Sequence, residues 1–308
     1  MTPNHALAHR HVESQSPAGR LLAALVVTLL FVVVEALGGW RANSLALLTD
    51  AAHNLTDVLA LAVSWFALRL TTRPAHPGQT YGYHRAGILA ALVNSVALVL
   101  VVGGVFYEAY RRLGRPPVVE EHVLIGVAIL AFAINAGTAW LVMAGSRHDL
   151  NLRSIFVHLA TDALSTLGAA AAGIGIALTG LQVLDPLVSF LIGALILWNA
   201  AQIIGEAVHI LLQGTPRDVD LPALTADLQG ITGVRGVHDL HVWSLTQDVR
   251  VLSAHLLTDD IPVSAGACIQ NDARALLQRK YGIGHATLQL ECVACEPGCN
   301  LAAASDGH

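Results

Sequence analysis

The sequence predicts a membrane domain of six helices followed by a small α+β domain, and three observations predict this fold class. The chain has 308 residues, of which 54% are hydrophobic and 13% are charged, whereas an ordinary soluble domain has about 25% charged residues. The hydrophobic residues fall in six stretches of roughly the 20 residues needed to cross a bilayer. After Gly214, charged residues and prolines return, which indicates the start of a different domain.

The six predicted spans are joined by short loops, as in a bundle of antiparallel helices. They cover residues 21–40, 45–68, 86–107, 123–144, 153–178 and 184–208, within a membrane domain at 21–213. The polar segment 1–20 is predicted to be a His-containing tail, because a signal peptide passes directly from a short basic region into its apolar region. An even number of spans puts both termini on one side, and the arginine distribution predicts that this side is cytoplasmic. The short loops favour a bacterial inner membrane.

The segment 214–292 is predicted to form a cytoplasmic α+β domain. Its patterns predict a helix at 218–229, strands at 234–245 and 248–258, a helix at 264–281 and a strand at 285–291. This order, α-β-β-α-β, is typical of a three-stranded sheet backed by two helices. Cys268, alone within the second helix pattern, is predicted to lie in the core, and residues 293–308 are predicted to be a flexible, Cys-containing tail.

Four ionisable residues inside the spans point to function, because an Asp at the centre of a membrane helix costs about 2.5–3.5 kcal/mol. His53 and Asp57 are four residues apart in the second span, and His158 and Asp162 repeat this spacing in the fifth. Each spacing puts an imidazole and a carboxylate on one helix face, one turn apart. In antiparallel helices both pairs approach the middle of the roughly 30 Å hydrocarbon core, so the pairs can meet.

Two imidazoles and two carboxylates are a ligand set suited to Zn²⁺, which prefers tetrahedral sites of N, O and S donors. The set also balances the charge of one divalent ion. Ligands must be deprotonated before metal binds, so metal entry expels protons, and the site predicts metal–proton exchange. For either pair alone, hydrogen-bonded packing between helices is an equally good interpretation, but the repeat at matched depth favours the metal.

Two further carboxylates lie in the spans near these residues. Asp50 precedes His53 by about a turn on the same helix face, and it is interpreted as a residue at the mouth of the site or as a salt-bridge partner. Glu35 lies within the apolar run of the first span, where we expect a structural role or a proton relay.

The predicted strands of the C-terminal domain carry a second set of candidate ligands. These residues are His238, His241, His255, His285 and Glu291. His238 and His241 are three residues apart, so they face opposite ways on a regular strand unless a β-bulge intervenes.

The end of the chain carries a third set of candidate ligands. Cys292, Cys295 and Cys299 form a C-x₂-C-x₃-C pattern, and thiolates favour zinc and copper(I). The N-terminal histidines that could supply a fourth ligand are His5, His9 and His11. The alternative is a flexible tail whose cysteines are incidental.

Long motifs distributed over nearly the whole chain identify a family. They are EALGG (35–39), NSLAL (43–47), LLTDAAHNLTD (47–57), YGYHRAGILAALVN (81–94), HLATDALS (158–165), LDPLVSFLIGALILWNA (184–200) and VHDLHVWSLT (237–246). With these motifs the chain resembles the cation diffusion facilitator family of metal transporters, in particular its zinc-type branch.

The resemblance implies a six-helix transmembrane domain, a ferredoxin-like cytoplasmic domain of metallochaperone type, and a homodimer. It implies exchange of cytoplasmic Zn²⁺, or similar ions such as Cd²⁺ and Co²⁺, for protons. The residues that match the family's transport site are His53, Asp57, His158 and Asp162. The residues that match a regulatory metal site are His238, His255 and Glu291. Some members also bind metal in the loop between the second and third spans, where His76 is a candidate.

The predicted activity is therefore secondary active export of divalent cations, with the lipid bilayer, metal ions and protons as partners. One alternative is an intramembrane metalloenzyme, but neither HNLTD nor HLATD provides the HExxH pattern of a zinc protease. A catalytic zinc also keeps an open position. The other alternative is a membrane-anchored metal-binding sensor, for which six spans exceed what an anchor needs. Nucleic acid is not an expected partner, because the sequence has no basic run.

Overall fold

The computed structural model describes residues 17–71, 73–143, 150–246 and 248–292. Six long helices come first: α1 (Pro17–Ala42), α2 (Leu45–Thr71), α3 (Ala86–Gly114), α4 (Glu121–Met143), α5 (Leu150–Thr179) and α6 (Leu184–Leu211). Each predicted span coincides with one of these helices. The shortest, α4, has 23 residues, about 35 Å at 1.5 Å per residue, so each helix is long enough for a hydrocarbon core of roughly 30 Å.

Apolar composition supports membrane crossing directly for four segments among the described residues. These segments are Ala86–Gly114, Glu121–Trp140, Phe156–Thr179 and Leu184–Leu211. A helix satisfies its backbone hydrogen bonds internally, which hydrocarbon requires of any segment that crosses it. The protein therefore has a transmembrane helical domain, whereas crossing by α1 and α2 stays a prediction.

The described residues form two compact units: those up to residue 62 together with those of 96–200, and those of 63–95 together with those from residue 201 onward. This division cuts through α2, α3 and α6, whereas the composition predicts a domain boundary between 213 and 214. Within the second unit, Ile88 near the start of α3 packs with Ala207 and Ile210 near the end of α6. Because these apolar helix ends pack together, the second unit includes residues that composition assigns to the membrane domain.

The core of the first unit contains many small side chains, which allow membrane helices to approach closely. Its buried alanines include Ala42, Ala46, Ala128, Ala169, Ala170 and Ala200. At Gly173 in α5, an added Cβ would lie 2.8 Å from Ile125 Cγ1 in α4. A larger residue there would push α5 away from α4 and displace the polar residues that α5 carries.

A buried carboxylate joins the first turn of α6 to the first turn of α2. Asp185 is fully buried and accepts hydrogen bonds from Ser44 Oγ at 2.5 Å, Leu45 N at 2.7 Å and Ala46 N at 3.2 Å. The first amides of a helix have no partners within it and carry partial positive charge. Asp185 therefore caps α2 from another helix, and α2 in turn stabilises this buried charge.

The second unit contains the three-stranded sheet that the sequence predicts, with strand order β1-β2-β3. Its elements are α7 (Leu221–Gln229), β1 (Val234–Ser244), β2 (Arg250–Thr258), α8 (Val263–Tyr281) and β3 (Ile283–Glu291). β1 and β2 pair antiparallel, whereas β2 and β3 pair parallel. A parallel pair needs a crossover connection, and α8 supplies it.

Arg250, at the start of β2, ties the segment after α6 to this sheet. Its guanidinium lies 2.7 Å from Asp218 and donates a second hydrogen bond to Tyr281 O at 2.9 Å. The bond from Arg250 holds the pKa of the Asp218 carboxyl below its usual range. The segment that leads into α7 is thereby attached to the start of the central strand and to the end of α8.

The prediction that Cys268 lies in the core is wrong, because this side chain is exposed. The buried face of α8 contains Gly266, Ile269, Ala273 and Leu277, which recur at helical spacing. Cys268 directly precedes Ile269 and is therefore rotated about 100° from it around the helix axis. An apolar residue within a helix pattern is buried only if it shares the phase of the buried face.

Candidate metal centres

Two helices bring four polar side chains together in the first unit. α2 contributes His53 and Asp57, and α5 contributes His158 and Asp162. One ligand atom from each residue lies within 4.8 Å of the other three. We call these four residues the His–Asp site.

Four nitrogen–oxygen distances within the His–Asp site, which involve one oxygen of Asp57 and both oxygens of Asp162, are close to the ligand separations of tetrahedral zinc. His53 Nε2 lies 3.6 Å from Asp57 Oδ2 and 3.4 Å from Asp162 Oδ1. His158 Nε2 lies 3.3 Å from Asp57 Oδ2 and 3.5 Å from Asp162 Oδ2. Zinc–ligand bonds of 2.0–2.2 Å with tetrahedral angles give ligand–ligand separations of about 3.3–3.6 Å. The four side chains therefore surround a position that one zinc ion fits.

Solvent exposure within the His–Asp site is unequal. The side chains of His53 and Asp162 are 10% and 8% exposed, whereas those of Asp57 and His158 are 30% and 43% exposed. The Nδ1 atom of His53 is buried and has no hydrogen-bond partner among the described residues. The site thus has a more buried side, formed by His53 and Asp162, and a more accessible side, formed by Asp57 and His158.

Asp50 and Glu35 are both buried, and the position of Asp50 differs from the one predicted for it. Asp50 is 1% exposed and Glu35 is 0% exposed. Asp50 does not lie at a mouth, and no cationic side chain among the described residues lies within ion-pair distance of it. The sequence pattern identifies the helix face on which Asp50 lies, but it does not reveal that α1 brings the second carboxylate, Glu35, to that face.

A second cluster forms on the sheet of the second unit, from one residue of each strand. His238 Nε2 lies 3.0 Å from Glu291 Oε2, and His255 Nδ1 lies 2.9 Å from Glu291 Oε1. The two imidazole rings are 5.2 Å apart. Both histidine nitrogens are buried, and neither is placed for a hydrogen bond among the described residues. Their direction towards a common space suits metal ligation, and we call these three residues the sheet site.

A bulge in β1 explains which neighbouring histidine stays outside the sheet site. His238 pairs with His255, but His241 pairs with Ser253, so β1 has one extra residue between them. Asp239 adopts φ 47° at this point, a left-handed conformation that Asp tolerates better than most residues. Its Oδ1 lies 3.0 Å from His241 Nε2 and its Oδ2 lies 3.6 Å from His255 Nε2.

Sequence reasoning missed Asp239 as a site residue. The structure places it between His241 and His255, where it can orient His255 or supply a further oxygen ligand. The signal that could have identified it is the sequence His238-Asp-Leu-His241, because Asp tolerates the left-handed conformation found at this bulge.

The other candidate histidines of this unit have different neighbours. The ring of His285 stacks edge-on against Tyr81 at 6.0 Å. His76 Nε2 lies 3.1 Å from the Tyr83 hydroxyl, and His76 Nδ1 accepts a hydrogen bond from Gly78 N at 3.2 Å. His76 is therefore part of a hydrogen-bonded turn, and among the described residues it lies in no ligand cluster.

The thiol set at the chain end falls largely outside the described residues. Cys292 is an exposed free thiol, and metal binding by the set stays a prediction. The members outside the described residues are Cys295, Cys299, His5, His9 and His11.

Comparison with known proteins places both halves of the chain in one family. The family description "Cation efflux transmembrane domain" matches residues 21–212. The description "Cation efflux protein, cytoplasmic domain" matches residues 216–293.

Individual relatives match along nearly the whole chain. The chain is 37% identical to a zinc transporter, ZitB, of Yersinia pseudotuberculosis, over 95% of each chain. It is 34% identical to a cadmium, cobalt and zinc/H(+)-K(+) antiporter of Bacillus subtilis, over 94% of this chain and 93% of the relative. It is also 34% identical to a metal cation efflux system protein, CzcD, of Cupriavidus metallidurans, over 94% of this chain and 91% of the relative.

Proposed function

This chain belongs to the cation efflux family of membrane transporters, and from that premise we propose that it exports Zn²⁺ from the cytoplasm in exchange for protons. Its similarity to transporters named for zinc, cadmium and cobalt supports divalent-cation export. The chain is a transporter and not an enzyme. Cd²⁺ and Co²⁺ are the further ions we expect it to carry.

The observation that carries this proposal is the geometry of the His–Asp site. Two imidazole nitrogens and the oxygens of two carboxylates, with nitrogen–oxygen separations of 3.3–3.6 Å, suit the bond lengths and tetrahedral preference of zinc. Mixed imidazole and carboxylate ligands also disfavour Mg²⁺ and Ca²⁺, which take oxygen ligands. The ion is cargo, so the site must load on one side of the membrane and release on the other.

Proton exchange follows from the charges of the ligands. With zinc bound, two ionised carboxylates and one divalent ion sum to zero charge. Without the ion, two carboxylates lie together in surroundings of low dielectric, where like charges repel strongly. Protons relieve this repulsion, and they must leave again before metal binds. A proton gradient directed into the cytoplasm therefore drives the metal outward.

We expect zinc flux in proteoliposomes to follow an imposed pH gradient. Purified full-length protein is reconstituted, and a pH gradient is imposed across the vesicle membrane. A fluorescent indicator in the acidic compartment measures the zinc that arrives there. Flux towards the acidic side should rise with the gradient and collapse when a protonophore is added at constant zinc. Flux that is unaffected by the protonophore would contradict proton exchange, whereas absence of any flux would contradict transport itself.

We also propose the membrane arrangement. All six helices α1 to α6 cross the bacterial inner membrane, and both termini face the cytoplasm. The match of residues 216–293 to the cytoplasmic domain of the family supports this orientation. The chain acts as a homodimer, and its C-terminal unit is a ferredoxin-like module of metallochaperone type. The antiparallel β1–β2 pair and the parallel β2–β3 pair joined by α8 are consistent with such a module.

The sheet site is proposed to bind a regulatory zinc ion. In the full-length protein, His255→Ala should lower the zinc bound per chain by up to about one equivalent, because it removes a ligand that approaches Glu291. His285→Ala is the matched control, since this histidine lies on the same sheet but stacks against Tyr81. Equilibrium dialysis with elemental analysis gives the stoichiometry. Equal zinc content in both variants and the wild type would rule out metal binding at the sheet site.

A further inference from the structure

Two buried carboxyl groups face each other near the His–Asp site without belonging to it. Glu35 in α1 is 0% exposed and Asp50 in α2 is 1% exposed. The two groups lie within hydrogen-bonding reach of each other. We call them the carboxyl pair.

The carboxyl pair lacks the donors that two ionised carboxylates would need. Asn54 Nδ2 donates one hydrogen bond to Glu35 Oε2 at 2.7 Å. No donor among the described residues reaches Glu35 Oε1 or either oxygen of Asp50. An ionised carboxylate only accepts hydrogen bonds, so two ionised carboxylates that face each other cannot bond and instead repel. Burial without compensating partners makes such an arrangement very unfavourable.

A proton resolves this conflict at the least cost. One proton on either carboxyl converts an acceptor into a donor, creates an O–H···O⁻ hydrogen bond of the strong, charge-assisted type, and removes one buried charge. A metal ion suits the position less well, because the Asn54 amide already directs an N–H towards Glu35 and repels a cation there. The groups that act on the pair through charge are His53 from α2 and Asp162 from α5.

We propose that the carboxyl pair is a proton-carrying site, distinct from the metal ligands and coupled to them by charge. The inference rests on the metal–proton exchange proposed above. While the His–Asp site lacks metal, the negative charge of Asp162 favours a proton on the nearby pair. A divalent ion at the His–Asp site neutralises Asp162 and adds positive charge near the pair. This charge lowers the cost of two ionised carboxylates there, so the proton leaves the shared O–H···O bond for water. The pair thus adds to the protons exchanged per metal ion without touching the ion.

The test counts protons released when zinc binds to the full-length protein in detergent, with a pH indicator in weak buffer. Glu35→Gln and Asp50→Asn each place an amide N–H where the shared proton was, so both variants should fold and leave the remaining carboxylate satisfied. Each should bind zinc with wild-type stoichiometry and an affinity within about threefold, but release fewer protons per zinc, by up to about one. Glu120→Gln removes an exposed carboxylate in a loop and should release the wild-type number.

The outcomes separate this inference from the proposed function. A wild-type protein that binds zinc and releases no protons would overturn metal–proton exchange itself. If the wild type releases protons and both variants release the same number, the proposed role of the carboxyl pair is overturned while metal–proton exchange stands. Loss of zinc binding in both variants would also overturn this role, because the pair would then be part of the metal site. Infrared difference spectra of the wild type provide a check without mutation. The zinc-free protein should show the carbonyl stretching band of a protonated carboxyl group, and this band should disappear when zinc binds. A zinc-free protein without the band would overturn the inference.

Discussion

Asp162→Ala is expected to abolish zinc transport, and Asp57→Ala should have the same effect. With one carboxylate removed, a bound zinc ion leaves an uncompensated positive charge in surroundings of low dielectric, which is strongly unfavourable. Loss of a residue that merely supports a ligand typically costs 10- to 100-fold in metal affinity, so loss of a ligand should reduce flux by more than about 100-fold. Zinc flux in proteoliposomes under a fixed pH gradient measures this effect.

Thr161→Val is the matched control for Asp162→Ala. Thr161 precedes Asp162 in α5 and is exposed, and among the described residues its hydroxyl donates a hydrogen bond to Val157 O of its own helix. This variant should retain most of the flux. Near-normal transport by Asp57→Ala and Asp162→Ala, with both proteins verified as folded, would exclude the His–Asp site as the transport site.

His53→Asp should change which metal is carried. Replacing an imidazole by a carboxylate makes the site harder and more negative, and hard oxygen ligands suit manganese better than they suit zinc. We expect zinc flux to fall by at least about tenfold relative to manganese flux. Competition between metals in the same vesicles measures the ratio.

His122→Asp makes the same chemical change at an exposed position at the start of α4, where the side chain is 93% exposed. The ratio of metal fluxes should not change in this variant. An unaltered ratio in His53→Asp, at measurable flux, would mean that His53 does not bind the transported ion.

The membrane helices could be predicted from the sequence because their signal is long and local. Each apolar run is nearly as long as its helix, and only the ends differ, as where α3 continues to Gly114 beyond the predicted end at 107. The exposure of Cys268 could not be predicted so easily. It depends on the phase of one helix relative to the sheet, which composition does not contain.

The His–Asp site could also be predicted, because two repeats of one spacing at one depth leave few arrangements. That these residues bind metal stays a prediction. The buried setting of Asp50 and its contact with Glu35 depend on how α1 packs against α2, which periodicity within each helix does not determine. Asp239 was missed because a bulge changes the alternation of the strand, and the sequence alone leaves open whether a bulge is present.

The hydrogen bonds of Asp185 fix the N-terminal end of α2 and make it a pivot for the rest of the helix. The first turns of α2 and α6 are fastened together at Ser44, Leu45 and Ala46, so α2 can swing about this end more easily than it can slide. Asp57 lies twelve residues beyond Leu45, about 18 Å along the helix axis. A swing of about 10° would carry Asp57 through about 3 Å over that lever arm. This displacement nearly equals the 3.3 Å that separates Asp57 from His158, so a small rotation at a fixed point is enough to take the ligand set apart.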